Sequence, residues 1–305
     1  MDALTHTVVA IAAGMAGRRR WGRAGTAWLV AAANLPELER VVGWVSPAAG
    51  VSVLYGAGHS LAAAPLWGLL LGALAARRLR SPRGAFLLVG LGLGSHLALD
   101  LVSGPGIRLL WPWAGQFYGL RVVARYDLLI LAVMAVALVG PRLLNLVNRD
   151  MGAAAYSPQR PARVGLVCVG LLVAARVATM VIVESRVGGG QLAPSALHPL
   201  TWYAVTDAGN AYTVEEVTPW GYGISLRFRK PQSNRVFETA AETPLAQAFL
   251  QVAHFPQYSL ERGGRGMLVR IRDLRFYTPA GEGKEYSVEI EVTPQLEVVG
   301  QRARM

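Results

Sequence analysis

Cysteine occurs once in the chain, at Cys168, so a disulfide framework is excluded. Lysine is nearly missing: Lys230 and Lys284 stand alone among 30 basic side chains, and the rest are arginine. With abundant Ala and Gly, that bias points to a GC-rich bacterial genome. Charged residues make up 16% of the 305, against roughly 25% in ordinary soluble domains. A chain this poor in charge and 53% hydrophobic is not intrinsically disordered. Internal repeats are absent. The second half also lacks a nucleophile elbow, a Gly-rich phosphate loop and a cysteine cluster, which removes those routes to chemistry there.

What charge there is sits unevenly. Residues 1–185 hold 17 basic and 7 acidic side chains, whereas residues 186–305 hold 13 and 12. The net +11 would suggest nucleic acid on a soluble chain. Here it falls between long apolar runs, so nucleic acid is not expected. Ser60–Ala76, Gly84–Val102, Tyr126–Leu144 and Val164–Glu184 approach or reach the ~20 residues a spanning helix needs. Leu4–Gly17 and Ala24–Leu35 are shorter. The expected fold class is a membrane bundle of about six helices followed by a small α+β domain.

The arginines alternate between loops. Arg18, Arg19, Arg20, Arg23, Arg77, Arg78, Arg80, Arg83, Arg142, Arg149, Arg160 and Arg163 fall on one side. Arg40, Arg108, Arg121 and Arg125 fall on the other. The richer side is expected to be cytoplasmic, where those side chains meet anionic lipid. The N-terminal run has its arginines after it and none before it, the reverse of a secretory signal, so no cleavage is expected. The chain then reads as a multi-pass inner-membrane protein. Residues 1–186 form the helical domain. The hinge Val187-Gly188-Gly189-Gly190 opens an extracytoplasmic domain over residues 187–305.

Ionisable groups in spanning helices are costly unless they have a partner or a task. The few present are His6, Glu37, Glu39, His59, His96, Asp100 and Asp127. By the topology above, all fall at helix ends on the outer side. His96 and Asp100 are spaced i, i+4 and so share one helical face. That spacing lets one helix offer two ligands to a metal, or a carboxylate to orient a ligating imidazole. Convergence of three histidines and several carboxylates on one membrane face points to a shared metal site. Asp127 alone reads as a first-turn carboxylate favoured by the helix dipole.

These segments resemble the bacterial membrane-bound metal-dependent hydrolases of the YdjM-like group. The Met-Asp-x-x-Thr-His opening is matched by Met1, Asp2, Thr5 and His6. Pro36-Glu37-Leu38-Glu39 looks like a Glu-for-Asp version of Pro-Asp-x-Asp. Leu54-Tyr55-Gly56-Ala57-Gly58-His59-Ser60 keeps the Gly, the second His and the Ser of a His-Arg-Gly-x-Thr-His-Ser motif, at Gly56, His59 and Ser60. Ser95, His96 and Asp100 match Ser-His-x-x-x-Asp, and Gly106 and Trp111-Pro112 follow. Pro199, Leu200, Trp202 and Tyr203 are similar to longer, YfhP-like members with an extra C-terminal domain. One departure stands out: the first His of the third motif is Leu54 here, and its Arg is Tyr55.

The resemblance implies a metal-dependent hydrolase. His6, His59, His96 and Asp100 are the expected metal ligands. Glu37 and Glu39 are the candidate catalytic residues, as general base or further ligand. Zn²⁺ is the expected divalent cation, with Mn²⁺ or Fe²⁺ as alternatives if carboxylates dominate. The expected partners are membrane lipids, with a lipid-like phosphoester as substrate, and Arg108, Arg121 and Arg125 are candidates to steady its phosphate. The competing reading, which Leu54 favours, is a non-catalytic membrane protein with a structural polar cluster and a partner-binding C-terminal domain.

In the second half, strands are expected over Leu200–Val205, Tyr212–Val217, Gly223–Phe228, Met267–Tyr277 and Tyr286–Val292, and a helix over Pro244–Phe255. His198 and His254 read as structural.

Overall fold

A computed structural model describes residues 1–104, 106–277 and 286–304. In chain order the helices are α1 (Ala3–Ala16), α2 (Arg18–Asn34), α3 (Val41–Val45), α4 (Pro47–Val53), α5 (Ala63–Ala76), α6 (Pro82–Val102), α7 (Leu128–Asp150), α8 (Gln159–Glu184), α9 (Arg235–Ala241) and α10 (Pro244–Leu250). The strands are β1 (Gln191–Pro194), β2 (Trp202–Asp207), β3 (Ala211–Thr218), β4 (Gly221–Arg229), β5 (Pro256–Arg262), β6 (Met267–Asp273), β7 (Ser287–Val292) and β8 (Val298–Arg304). The chain folds as two units. The first holds residues 1–38, 55–178 and 196–199; the second holds 39–54, 179–195 and 200–305.

Each of the six apolar runs becomes a helix, and the helix starts follow local chemistry. Asp2 caps α1, its carboxylate accepting from the Thr5 amide at 3.0 Å and the Thr5 hydroxyl at 2.5 Å. Ser81 caps α6 ahead of Pro82, which supplies a preset φ and no wasted donor. Asp127 caps α7 through the Ile130 amide at 3.1 Å, so that helix starts at Leu128 rather than Tyr126. It also continues past Pro141 to Asp150.

Among the described residues, α6, α7 and α8 are long and apolar enough to cross a membrane, while α1 and α5 are apolar but 14 residues each. Fourteen residues of helix rise about 21 Å, short of the ~30 Å hydrocarbon core. Leu66, Leu69 and Leu70 on α5 and Val164, Val167 and Leu171 on α8 point their side chains outward.

The core of the first unit is built from small residues. Ala32, Ala75, Ala85, Val89 and Leu93 pack together, flanked by Trp28 and Trp67. Gly92 on α6 is the tightest point against α2: a Cβ there would lie 2.6 Å from the Ala32 side chain and 2.7 Å from the Leu29 carbonyl oxygen. Small residues at such crossings let two helix backbones approach closely. That approach brings His96, one turn further on, to the α2 backbone.

In the second unit, β1–β2–β3–β4 and β5–β6–β7–β8 each form a four-stranded antiparallel meander, and α4 packs with α10. The expected strand ending at Tyr277 stops at Asp273. There the carboxylate turns the chain by accepting from the amides of His254 (3.0 Å) and Arg275 (3.1 Å) and from the Arg275 guanidinium (2.6 Å). The same contact cuts the expected helix over Pro244–Phe255 back to α10. The His254 ring pairs with the Gln191 side chain at 2.9 Å.

β7 buries both faces. Val288, Ile290 and Val292 enter the apolar core, while Glu289 is also 2% exposed. Its cross-strand neighbours are Arg270 and Arg302. The carboxylate accepts from Arg270 Nε at 3.1 Å and Arg302 Nε at 3.1 Å, with Arg304 Nε at 3.0 Å. Burial alone would raise the Glu289 pKa, but the bonds from Arg302 and Arg270 hold it below the usual carboxylate range. A carboxylate with a depressed folded pKa stabilises the fold above its unfolded value of about 4.3, and the contribution fades as pH falls through the folded value. Glu289→Gln therefore lowers the unfolding free energy of the detergent-solubilised chain by about 1–3 kcal/mol at pH 7. Urea titrations followed by β-sheet circular dichroism at pH 7 and below pH 4 check this, and the gap between wild type and variant shrinks at the lower pH.

Candidate metal centre

Four segments of the first unit deliver the site. His6 lies in the opening turns of α1, set by the Asp2 cap. Glu37 lies in a 3-10 turn over Leu35–Arg40 that follows α2 directly. His59 lies in the turn before α5, where its amide bonds the Gly56 carbonyl at 3.1 Å and Ser60 Oγ accepts from the Ala63 amide at 3.1 Å. His96 and Asp100 sit one turn apart on α6. The turn carrying His59 starts with Tyr55 at φ 57°, a left-handed conformation unusual for an aromatic residue. The Arg108 amide holds that strained carbonyl at 2.7 Å, and the Tyr55 ring stands edge-on to His59 at 5.6 Å.

All three imidazoles converge on one carboxylate. His6 Nε2 lies 3.2 Å from Asp100 Oδ1; His59 Nε2 and His96 Nε2 lie 3.3 Å and 3.1 Å from Oδ2. The backbone nitrogen of Met1 also lies against Oδ1. The rings of His6 and His96 stack at 3.9 Å between centroids, and those of His59 and His96 lie 4.9 Å apart. His6, His59, His96 and Asp100 are each no more than 1% exposed. Glu37 Oε1 lies 4.0 Å from His6 Nε2.

The donor set fits a divalent cation. Two ligand atoms about 2.1 Å from one ion lie about 3.0 Å apart at a right angle and about 3.4 Å apart at the tetrahedral angle. The observed spacings of 3.1–3.3 Å fall in that interval. His96 Nε2 and Asp100 Oδ2 make no hydrogen bond despite complete burial. His96 Nδ1 is 2.7 Å from the Ala33 carbonyl oxygen. A carbonyl only accepts, so Nδ1 carries the proton and Nε2 presents its lone pair to the cluster, as an oriented ligating imidazole does. Two groups of ligand atoms close enough for one ion result: His6, His96 and Asp100, and Glu37, His59 and His96, sharing His96.

Of the expected site residues, His6, His59, His96, Asp100 and Glu37 come together. Glu39, half-buried in the 3-10 turn, belongs to neither group. Asp127 instead meets Arg176 of α8, Nη2 to Oδ2 at 2.9 Å, with both side chains almost fully buried. Sequence reasoning passed over Arg176; its signal was a lone basic residue inside the otherwise apolar run Val164–Glu184. Arg125 is buried, its guanidinium 5.9 Å from the Tyr55 ring and 5.3 Å from the Tyr126 ring. Arg108 lies over Phe117 at 5.0 Å.

With this geometry in view, the comparison with known families is decisive for kinship. The YdjM inner membrane protein family matches residues 1–183, which covers every residue of the cluster. The chain belongs to the YdjM inner membrane protein family. Three apolar helices of spanning length agree with that assignment. Neither a curated protein nor a solved structure matches the chain. The family match ends at residue 183, before β1, so the two sheets are a separate feature of this member.

Replacing His59 or His96 by alanine is expected to abolish stoichiometric binding of about one divalent ion per purified chain, read by inductively coupled plasma mass spectrometry. Removing Arg176 alone strands the buried Asp127. Arg176→Ala thus destabilises the helical unit by about 3–5 kcal/mol, and the double variant Asp127→Asn/Arg176→Gln recovers part of that loss in thermal unfolding.

Proposed function

We propose that this family member is an inner-membrane metal-dependent hydrolase acting on a lipid-like phosphoester at the non-cytoplasmic face. The observation that carries the reading is the convergence of three imidazole Nε2 atoms on Asp100 at 3.1–3.3 Å among side chains no more than 1% exposed. His6, His59, His96 and Asp100 would hold the cation, and a nitrogen-rich donor set favours Zn²⁺ over Mn²⁺ or Fe²⁺. Such a cation supplies water activation at neutral pH and polarisation of a phosphoryl oxygen.

The remaining work falls to the chain's own groups. Glu37, next to His6, accepts the proton of the attacking water as general base. The water oxygen bonds to phosphorus, the ester P–O bond breaks, and the leaving alkoxide takes up the proton that Glu37 holds. Ala33 holds the His96 tautomer through its carbonyl. The buried Arg125, beside Tyr55, is a candidate to steady the phosphate charge. The arginine distribution supports a topology with the cluster and residues 187–305 on the outer side. There the cluster meets the depth of a lipid headgroup ester.

A second reading, a non-catalytic member whose polar cluster is structural, draws on Leu54 in place of the motif histidine. One experiment separates them. Purified, metal-replete protein is assayed on a phosphodiester, a phosphomonoester and a phospholipid panel, with Glu37→Gln in parallel. The hydrolase reading expects turnover of at least one phosphoester. It also expects a loss of about 10²–10⁴-fold in Glu37→Gln with metal content retained. Metal-replete protein inert on every substrate supports the structural reading instead.

A further inference from the structure

At the opposite end of the helical unit from the histidine cluster, the ends of α1 and α7 and the start of α2 enclose a cleft of about 440 Å³. Its charged lining is Arg18, Arg23 and Arg142, and its apolar lining includes Ile11, Met15 and Pro141. No carboxylate lines it. Among the described residues, none of the three arginines forms an ion pair, and the one side-chain bond they make is Arg142 Nη1 to the Leu138 carbonyl at 3.1 Å. Three guanidinium groups with no counter-charge, gathered at one cleft, repel one another unless an anion joins them.

The apolar lining tells what kind of anion. Ile11, Met15 and Pro141 belong to the apolar helices, and Ile11 lies one turn further into α1 than Met15, away from the arginine-rich end. The cleft therefore grades from cationic to apolar along the helix axis, as a phospholipid grades from phosphate to acyl chain. Basic clefts between membrane helices are known to take lipid head groups. We infer that this cleft binds one anionic phospholipid, its phosphate held by Arg18, Arg23 and Arg142 and its upper acyl chain laid against Ile11, Met15 and Pro141. The site is independent of the histidine cluster and shares no residue with it.

The test uses the full chain in a zwitterionic detergent, titrated with phosphatidylglycerol, phosphatidylcholine of the same acyl chains, and inorganic phosphate. Binding is read by native mass spectrometry. One phosphatidylglycerol per chain is expected, retained about tenfold or more tightly than phosphatidylcholine, with inorganic phosphate far weaker. Arg18→Gln/Arg23→Gln/Arg142→Gln loses that preference. Arg77→Gln/Arg78→Gln/Arg80→Gln, which removes the same charge from the exposed α5–α6 turn at the same membrane side, keeps it. Should the first triple variant fail to fold, Arg142→Gln alone and the wild-type lipid comparison still decide. Equal retention of the two lipids, or equal loss in both triple variants, overturns the proposal. Inorganic phosphate binding as tightly as phosphatidylglycerol overturns the lipid assignment in favour of a free anion.

Discussion

The carboxylate of Asp100 is the contact on which the helical unit depends. It stands at 1% exposure with three imidazole nitrogens around it, drawn from α1, the turn before α5, and α6 itself. Burying that many polar groups among alanines and leucines costs several kcal/mol unless they satisfy one another or share an ion. The cluster therefore fixes the helix arrangement as much as the arrangement fixes the cluster. Side chains held this closely demand support behind them. Here the support is local: the Asp2 cap sets α1, Ser60 sets the start of α5, and the Ala33 carbonyl sets His96.

Helix packing in this unit is chosen for closeness rather than bulk. Gly92 lets α6 touch the α2 backbone, and only at that separation does His96 Nδ1 reach Ala33 at 2.7 Å. A larger side chain at residue 92 would push the two helices apart and take the imidazole with it. The second buried polar contact, Asp127 with Arg176, does for α7 and α8 what the cluster does for α1, α2 and α6. Apolar helices that gain little from hydrophobic contact with one another are held by a small number of well-placed polar pairs.

Much of this was legible in the sequence because the signals were strong. Runs of apolar residues bounded by arginines give helices, and His96 with Asp100 at i, i+4 gives a shared face. What the sequence hid was shorter or more mixed. Leu35–Val53 folds as a 3-10 turn and two short helices because Pro36, Gly43, Ser46 and Pro47 interrupt any period. β1 is four residues long and ends in Pro194, while β5 and β8 carry charges and glycine that blur the alternation. Arg176 was concealed by its apolar neighbours, and its partner Asp127 read as a cap, which it also is. Glu37 and Glu39 were equivalent in sequence, and only the fold separates them. The six-residue 3-10 turn brings Glu37 to His6 and leaves Glu39 outside the ligand groups.

The central claim is that these imidazoles and Asp100 form one coordination sphere. X-ray absorption at the metal edge of the solubilised, zinc-loaded chain tests it most directly. The account predicts a nitrogen and oxygen shell at about 2.0–2.1 Å with the outer-shell scattering of about three imidazoles. A chain that takes up no zinc, or a spectrum without histidine outer-shell scattering, would contradict it.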